Sequence, residues 1–174
     1  MLDTTALLDF LVAVDAELER PIALVAMGGT ALTLLGVKPS TRDVDFTAPA
    51  QDAALFDAAQ RRIPHGFRID LWTEGAVFSQ FLPADYLARS SAVRTRLRRI
   101  DLRALHPVDI VVTKIGRLDE RDKQDIAACV QRFRLTRQEV RARARQVQYV
   151  GNEEVFQSNL AHALRTLFPP RAPG

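Results

Sequence analysis

Five apolar residues, Ile22-Ala23-Leu24-Val25-Ala26, run unbroken between Pro21 and the glycine pair Gly28-Gly29. A short run of this kind between chain breakers reads as a strand buried on both faces, which requires covering layers on both sides. The flanking segments can supply them. Leu7, Leu11, Val14 and Leu18 recur at three- and four-residue steps, predicting an amphipathic helix over Thr4–Arg20 that Pro21 ends. After the glycines, Thr30–Leu35 reads as a short helix stopped by Gly36 and Pro39. Asp43–Thr47 reads as a strand with Val44 and Phe46 on one face and Asp43 and Asp45 on the other. A helix over Ala53–Ile63, a strand over Phe67–Trp72, and a loop or short helix to about Tyr86 follow.

The second half changes character. Val93–Leu105 alternates, with Arg94, Arg96 and Arg98 opposite Val93 and Leu97, and predicts one or two strands. His106-Pro107-Val108-Asp109 opens a helix to about Leu118, with Pro107 in its first turn. A second helix covers about Arg121–Phe133. Thr136 and Glu139 fit a capping box on a helix to about Tyr149, and Asn152 caps a last helix ending near Phe168. The expected fold is α+β: a mixed β-sheet core over 1–105 flanked by helices, a helical part over 106–168, and a loose tail over 169–174.

Composition narrows the class. Apolar residues make up 47% and charged residues 26% of the 174, which excludes a disordered or collagen-like chain. No apolar run approaches the ~20 residues of a membrane span. The start lacks the basic residues of a signal peptide, and the single cysteine, Cys129, can form no internal disulfide. A cytoplasmic protein is the expectation. Charge is divided unevenly: residues 1–87 carry 6 Lys+Arg against 12 Asp+Glu, and residues 88–174 carry 18 against 9. A basic half suits a phosphate-bearing partner.

Three features carry chemistry. Gly28-Gly29-Thr30 joins a strand to a helix, where bare backbone lets a phosphate come close and free N–H groups face it. Asp43 and Asp45, two apart on a strand, project to one side roughly 6–7 Å apart along it. Asp70 sits mid-strand among apolar residues, a costly place unless it is paired or metal-bound. If its strand lies beside that of Asp45, three carboxylates converge. Mg²⁺ on Asp43, Asp45 and Asp70 could then hold a nucleoside triphosphate for in-line attack by a hydroxyl.

Gly28-Gly29-Thr30-Ala31-Leu32 with Ser40-Thr41-Arg42-Asp43-Val44-Asp45-Phe46 resembles the signature of the nucleotidyltransferase fold shared with DNA polymerase β. The pattern is similar to the small AbiEii- and MenT-type nucleotidyltransferases of type IV toxin–antitoxin systems. Asp109 to Arg117 and Arg121-Asp122-Lys123-Gln124-Asp125 match the later helix with its lysine and the Arg-Asp-x-x-Asp stretch. Pro39 stands where that pattern has an arginine, with Lys38 one position further back. The resemblance implies metal on Asp43 and Asp45, triphosphate on Gly28, Gly29 and Thr30, and nucleotide phosphates near Lys114 and Arg117. Asp122 or Asp125 would complete the site. It further implies transfer of a nucleoside monophosphate to an acceptor such as a tRNA 3′ end, and a toxin role. Relatives that modify a partner protein as antitoxins, or that modify small antibiotics, are alternatives, as is a module that binds nucleotide or a partner without turnover.

Structural readings compete at several positions. Asp70 can pair with Arg68, and Arg121 with Asp125 at i,i+4 spacing. Lys114 lies on an apolar helix and must reach out of it. Trp72 reads as core. His65, His106 and His162 have no ligand spacing, and Arg94, Arg96, Arg98 and Arg99 suit a solvated edge as well as an RNA backbone.

Overall fold

The computed structural model describes residues 1–168, so the expected loose tail lies outside the described residues. In chain order the elements are β1 (Leu2–Asp3), α1 (Thr4–Glu17), β2 (Ile22–Ala26), α2 (Gly28–Leu34), β3 (Ser40–Thr41) and β4 (Val44–Ala48). Then come α3 (Ala50–Gln60), β5 (Ile69–Thr73), β6 (Ala76–Val77), β7 (Gln80–Phe81), α4 (Tyr86–Arg89), β8 (Ser91–Ala92) and β9 (Ile100–Ala104). The chain finishes with α5 (Pro107–Ile115), α6 (Glu120–Phe133), α7 (Arg137–Ala144), β10 (Gln148–Tyr149) and α8 (Glu153–Thr166).

The apolar run forms β2, the middle strand of a five-stranded mixed sheet ordered β5-β4-β2-β9-β8. β2 runs antiparallel to β4 and parallel to β9, and β4 runs parallel to β5. Alternation along β4 sorts the layers. Phe46 meets Phe56 of α3 edge-on at 5.5 Å between ring centroids. Asp45 leaves the opposite face, toward Gly28 of α2. Thus α3, backed by α1, covers one side of the sheet, and α2, backed by α5 and α6, covers the other. Buried side chains from both layers and from the C-terminal helices form one continuous core, with Phe46, Phe56, Phe156, Leu24 and Ile110 fully enclosed. Cys129 is buried in it with a free thiol. The α+β class, the mixed sheet and the helical C-terminal part are all present.

Several helix ends follow from their caps. Asp3 accepts from Ala6 N–H at 2.8 Å, His106 from Val108 N–H, and Asn152 from Val155 N–H. The expected capping box of Thr136 and Glu139 is complete. Boundaries differ elsewhere. The Gly28-Gly29 pair is the first turn of α2 rather than a turn before it. α7 stops at Ala144, short of the expected Tyr149, because Gln148 and Tyr149 pair with β7 as a strand. The stretch read as a loop before Tyr86 contains the β6–β7 hairpin.

The largest correction concerns 93–105. Only Ile100–Ala104 is a long strand there, and residues 94–99 are irregular. The end of that stretch is held by Asp15, a buried carboxylate on α1. It accepts from Arg98 N–H at 3.1 and 3.2 Å, Arg99 N–H at 2.7 Å and Ile100 N–H at 2.8 Å. These amides are taken by a side chain and cannot all join a ladder. Arg94, Arg96 and Arg98 still face solvent in alternation with half-buried Val93, Thr95 and Leu97, so the pattern was real and its cause was not a strand.

Asp15→Ala should therefore lower stability by about 2–4 kcal/mol in urea unfolding, because it leaves one buried and two partly buried N–H groups unpaired. A loss below ~0.5 kcal/mol would mean that solvent satisfies them.

Candidate active site

Parallel pairing of β4 with β5 sets the site. The register places Asp45 directly opposite Asp70, Val44 opposite Ile69 and Phe46 opposite Leu71. Asp43 stands just before β4. All three carboxylates line one cavity of about 310 Å³, together with Gly28, Arg68, Lys114, Arg117 and Asp122. Met27 N–H donates to the Asp45 carbonyl at 2.9 Å and ties the end of β2 to this edge.

Gly28 has to be glycine on two grounds. Its φ is +51°, and a Cβ there would lie 3.2 Å from Asp45 Oδ2. At Gly29 a Cβ would lie 2.7 Å from Thr41 Oγ1. Gly29 and Thr30 do not line the cavity. Thr30 is fully buried, and its hydroxyl accepts from Asp45 N–H at 2.9 Å and donates to the Asp43 carbonyl at 3.3 Å. Thr41 Oγ1 donates to the same carbonyl at 2.8 Å. The two threonines thus hold the backbone on which the aspartates stand.

The carboxylates differ in their surroundings. Burial, together with the charges of Asp70 and Asp43, pushes the Asp45 carboxyl up from 3.8 to about 6. Asp70 is tied to Arg68, with Oδ1 2.9 Å from Nε and 2.8 Å from Nη2, the structural pairing that competed with a metal role. Among the described residues no three carboxylate, imidazole or thiol groups form a ready-made metal cage. Two oxygen-bearing side chains in a crowded negative corner nonetheless fit Mg²⁺, which takes one or two carboxylates and fills its shell with phosphates and waters.

The opposite wall is a buried charge network. Lys114 Nζ lies 3.0 Å from Asp122 and 2.8 Å from Asp125. Lys38 holds Asp125 at 2.9 Å, and Arg117 meets Asp122 through Nε at 2.8 Å and Nη2 at 3.0 Å. Burial works against the Lys114 charge, yet its hydrogen bond to Asp125 and the two carboxylate charges hold its pKa above that of an ordinary lysine. For Asp122, the Arg117 and Lys114 contacts overcome burial and hold its pKa low. Asp125 does not line the cavity; it backs Lys114. Arg121 makes no ion pair with Asp125, contrary to the i,i+4 expectation.

Phe78, Gln80 and Tyr149 also line the cavity and carried no periodic or motif signal in the sequence. Lys38 is joined to Asp125 across 87 positions, a partnership no local pattern encodes.

Two outcomes follow. Asp45 binds its proton more tightly folded than unfolded, so its charging costs stability as pH rises from about 4 to about 6. Asp45→Asn should flatten that decline and leave the unfolding free energy at neutral pH equal or higher, by up to about 2–3 kcal/mol; strong destabilisation would make Asp45 a structural residue. Lys114→Met should cost about 3 kcal/mol in urea unfolding, because it leaves buried carboxylates undercompensated. Arg117→Gln, at a 62% exposed side chain, should cost less than half of that.

Comparison with known proteins bears on the fold and the family. No curated protein matches the chain in sequence. Among solved structures, a crystal structure of ANT(2")-Ia in complex with adenylyl-2"-tobramycin is similar in fold. Its TM-score is 0.50 over 91% of this chain and 95% of that one, at 15% identity. Residues 6–163 match the family described as "Nucleotidyltransferase of unknown function (DUF6036)". A sheet that sets Asp45 beside Asp70 under a glycine turn, and a match over nearly the whole chain, place this protein in that nucleotidyltransferase family.

Proposed function

We propose that the cavity binds a nucleoside triphosphate and transfers its nucleoside monophosphate to an acceptor hydroxyl, releasing pyrophosphate. The observation that carries the reading is the crowding of Asp45 by Asp70 and Asp43 beside Gly28, with Lys114 and Arg117 across the same cavity. A carboxylate whose charge is disfavoured by its neighbours gains most from a cation. Asp43 and Asp45 would hold Mg²⁺, which when bound supplies charge neutralisation on the phosphates and lowers the pKa of the attacking hydroxyl. Gly28 leaves room for phosphate oxygens against bare backbone. Lys114 offers positive charge to the triphosphate and Arg117 a second cation to the nucleotide, while Asp122 and Asp125 keep that lysine charged and aimed. Asp70, held by Arg68 directly beside Asp45, is the group placed to accept a proton from the acceptor. Thr30 positions rather than binds.

For the acceptor we propose an RNA 3′ end such as that of tRNA, in keeping with a toxin role. Support comes from the basic second half and from a groove between α6 and α7 lined by Arg134, Arg137, Arg141 and Arg145. Modification of a cognate protein is the reading to set against it. A small polyhydroxylated amine is a third, suggested by the adenylyl-2"-tobramycin held in ANT(2")-Ia.

Each labelled nucleoside triphosphate, incubated with Mg²⁺ and total tRNA, should leave label on RNA, and Asp43→Ala or Asp45→Asn should abolish it. Label on a partner protein or a small amine would reassign the acceptor. Unchanged transfer by Asp45→Asn would end the metal assignment. Metal binding competes with the Asp45 proton, so Mg²⁺ should raise the melting temperature at about pH 7.5 and lose that effect near pH 5. It should have no effect on Asp45→Asn; an equal shift at both pH values would place the ion elsewhere.

A further inference from the structure

We infer that Phe78 is the stacking platform for the base of the nucleoside triphosphate, an inference that rests on the nucleotide reading above and assigns the part of the cavity which the phosphates leave free. Phe78 sits at the tip of the β6–β7 hairpin and lines the same cavity as Asp45 and Lys114. The residue is 55% exposed, an unfavourable place for a large apolar side chain. Its φ is +51°, in the left-handed region that phenylalanine rarely adopts. Strain and exposure at one residue, on the wall of a cavity, point to a bound partner.

The surroundings specify a flat one. Trp72 supports the ring from β5 at 5.3 Å between centroids. The Arg117 guanidinium stands over the ring at 5.9 Å from its centroid, tethered on its other side to Asp122. A planar group held between them needs roughly 7 Å, twice the ~3.5 Å contact distance, so the gap has to widen by about 1 Å. Rotation of an exposed side chain at a hairpin tip supplies that. Every nucleobase has a π-face for the phenyl ring, and a cation above it adds to the attraction. The hairpin itself is firmly seated. Gln80 Nε2 donates to the Thr113 carbonyl at 3.0 Å, and Val150 N–H donates to the Ser79 carbonyl at 2.8 Å. The platform therefore keeps a fixed distance from α5 and its Lys114, as a base and its phosphates require.

Trp72 is the only tryptophan and touches the platform, so its fluorescence reports on it directly. The four nucleoside triphosphates, inorganic tripolyphosphate and the trinucleotide CCA are titrated in Mg²⁺ into the full chain, with calorimetry as the second measurement. At least one nucleoside triphosphate should bind about 5- to 100-fold tighter than tripolyphosphate. Phe78→Ala should erase that advantage and leave tripolyphosphate affinity unchanged, whereas Phe78→Tyr should retain it. Melting curves should confirm that all variants are folded. Equal nucleotide affinity for Phe78→Ala and the unaltered chain would overturn the inference. So would a loss confined to CCA, which would give the platform to an acceptor base, or tripolyphosphate binding as well as any nucleotide. Failure of every phosphate compound to bind the unaltered chain would instead remove the nucleotide reading itself.

Discussion

The hydroxyl of Thr30 is the joint on which the site depends. It is buried between α2 and β4, accepting from Asp45 N–H and donating to the Asp43 carbonyl. One side chain thereby fixes the glycine turn against the strand that carries the carboxylates. Without it, the edge of β4 would lose its registration with α2, and Gly28 would no longer lie against Asp45. A threonine that reads in sequence as a phosphate ligand serves in the fold as a spacer, and the chemistry of the cavity rests on the distance it sets.

The second constraint is electrostatic. The cavity has a negative floor on β4 and β5 and a positive wall on α5, and each is braced by groups of opposite charge. Arg68 restrains Asp70, while Asp122 and Asp125 restrain Lys114. Among the described residues neither Asp43 nor Asp45 has such a contact, and burial beside two other carboxylates raises the pKa of Asp45. The strain of like charges is concentrated at one atom group rather than spread over the sheet.

Much of this was legible in the chain. The buried strand, the glycine pair and the alternating Asp-x-Asp strand each obey a local rule, and together they gave the sheet, its cover and the acidic floor. Caps at Thr136 and Asn152 were equally local. What was illegible shares one cause: a partner far away in sequence. Residues 94–99 alternate like a strand, yet Asp15, more than eighty positions earlier, takes the amides of Arg98 and Arg99 at the end of that stretch. Lys38 gains its meaning only from Asp125. Phe78 sits in a hairpin of two-residue strands, too short to leave a period.

The enclosed thiol of Cys129 has a practical corollary. Burial pushes it up to about 12, so at neutral pH it stays protonated and shielded. The native chain thus presents no reactive sulfur. A Ser79→Cys substitution beside the aromatic tip would create a unique handle for a thiol-directed dye, allowing hairpin movement to be followed in solution without first removing a competing cysteine.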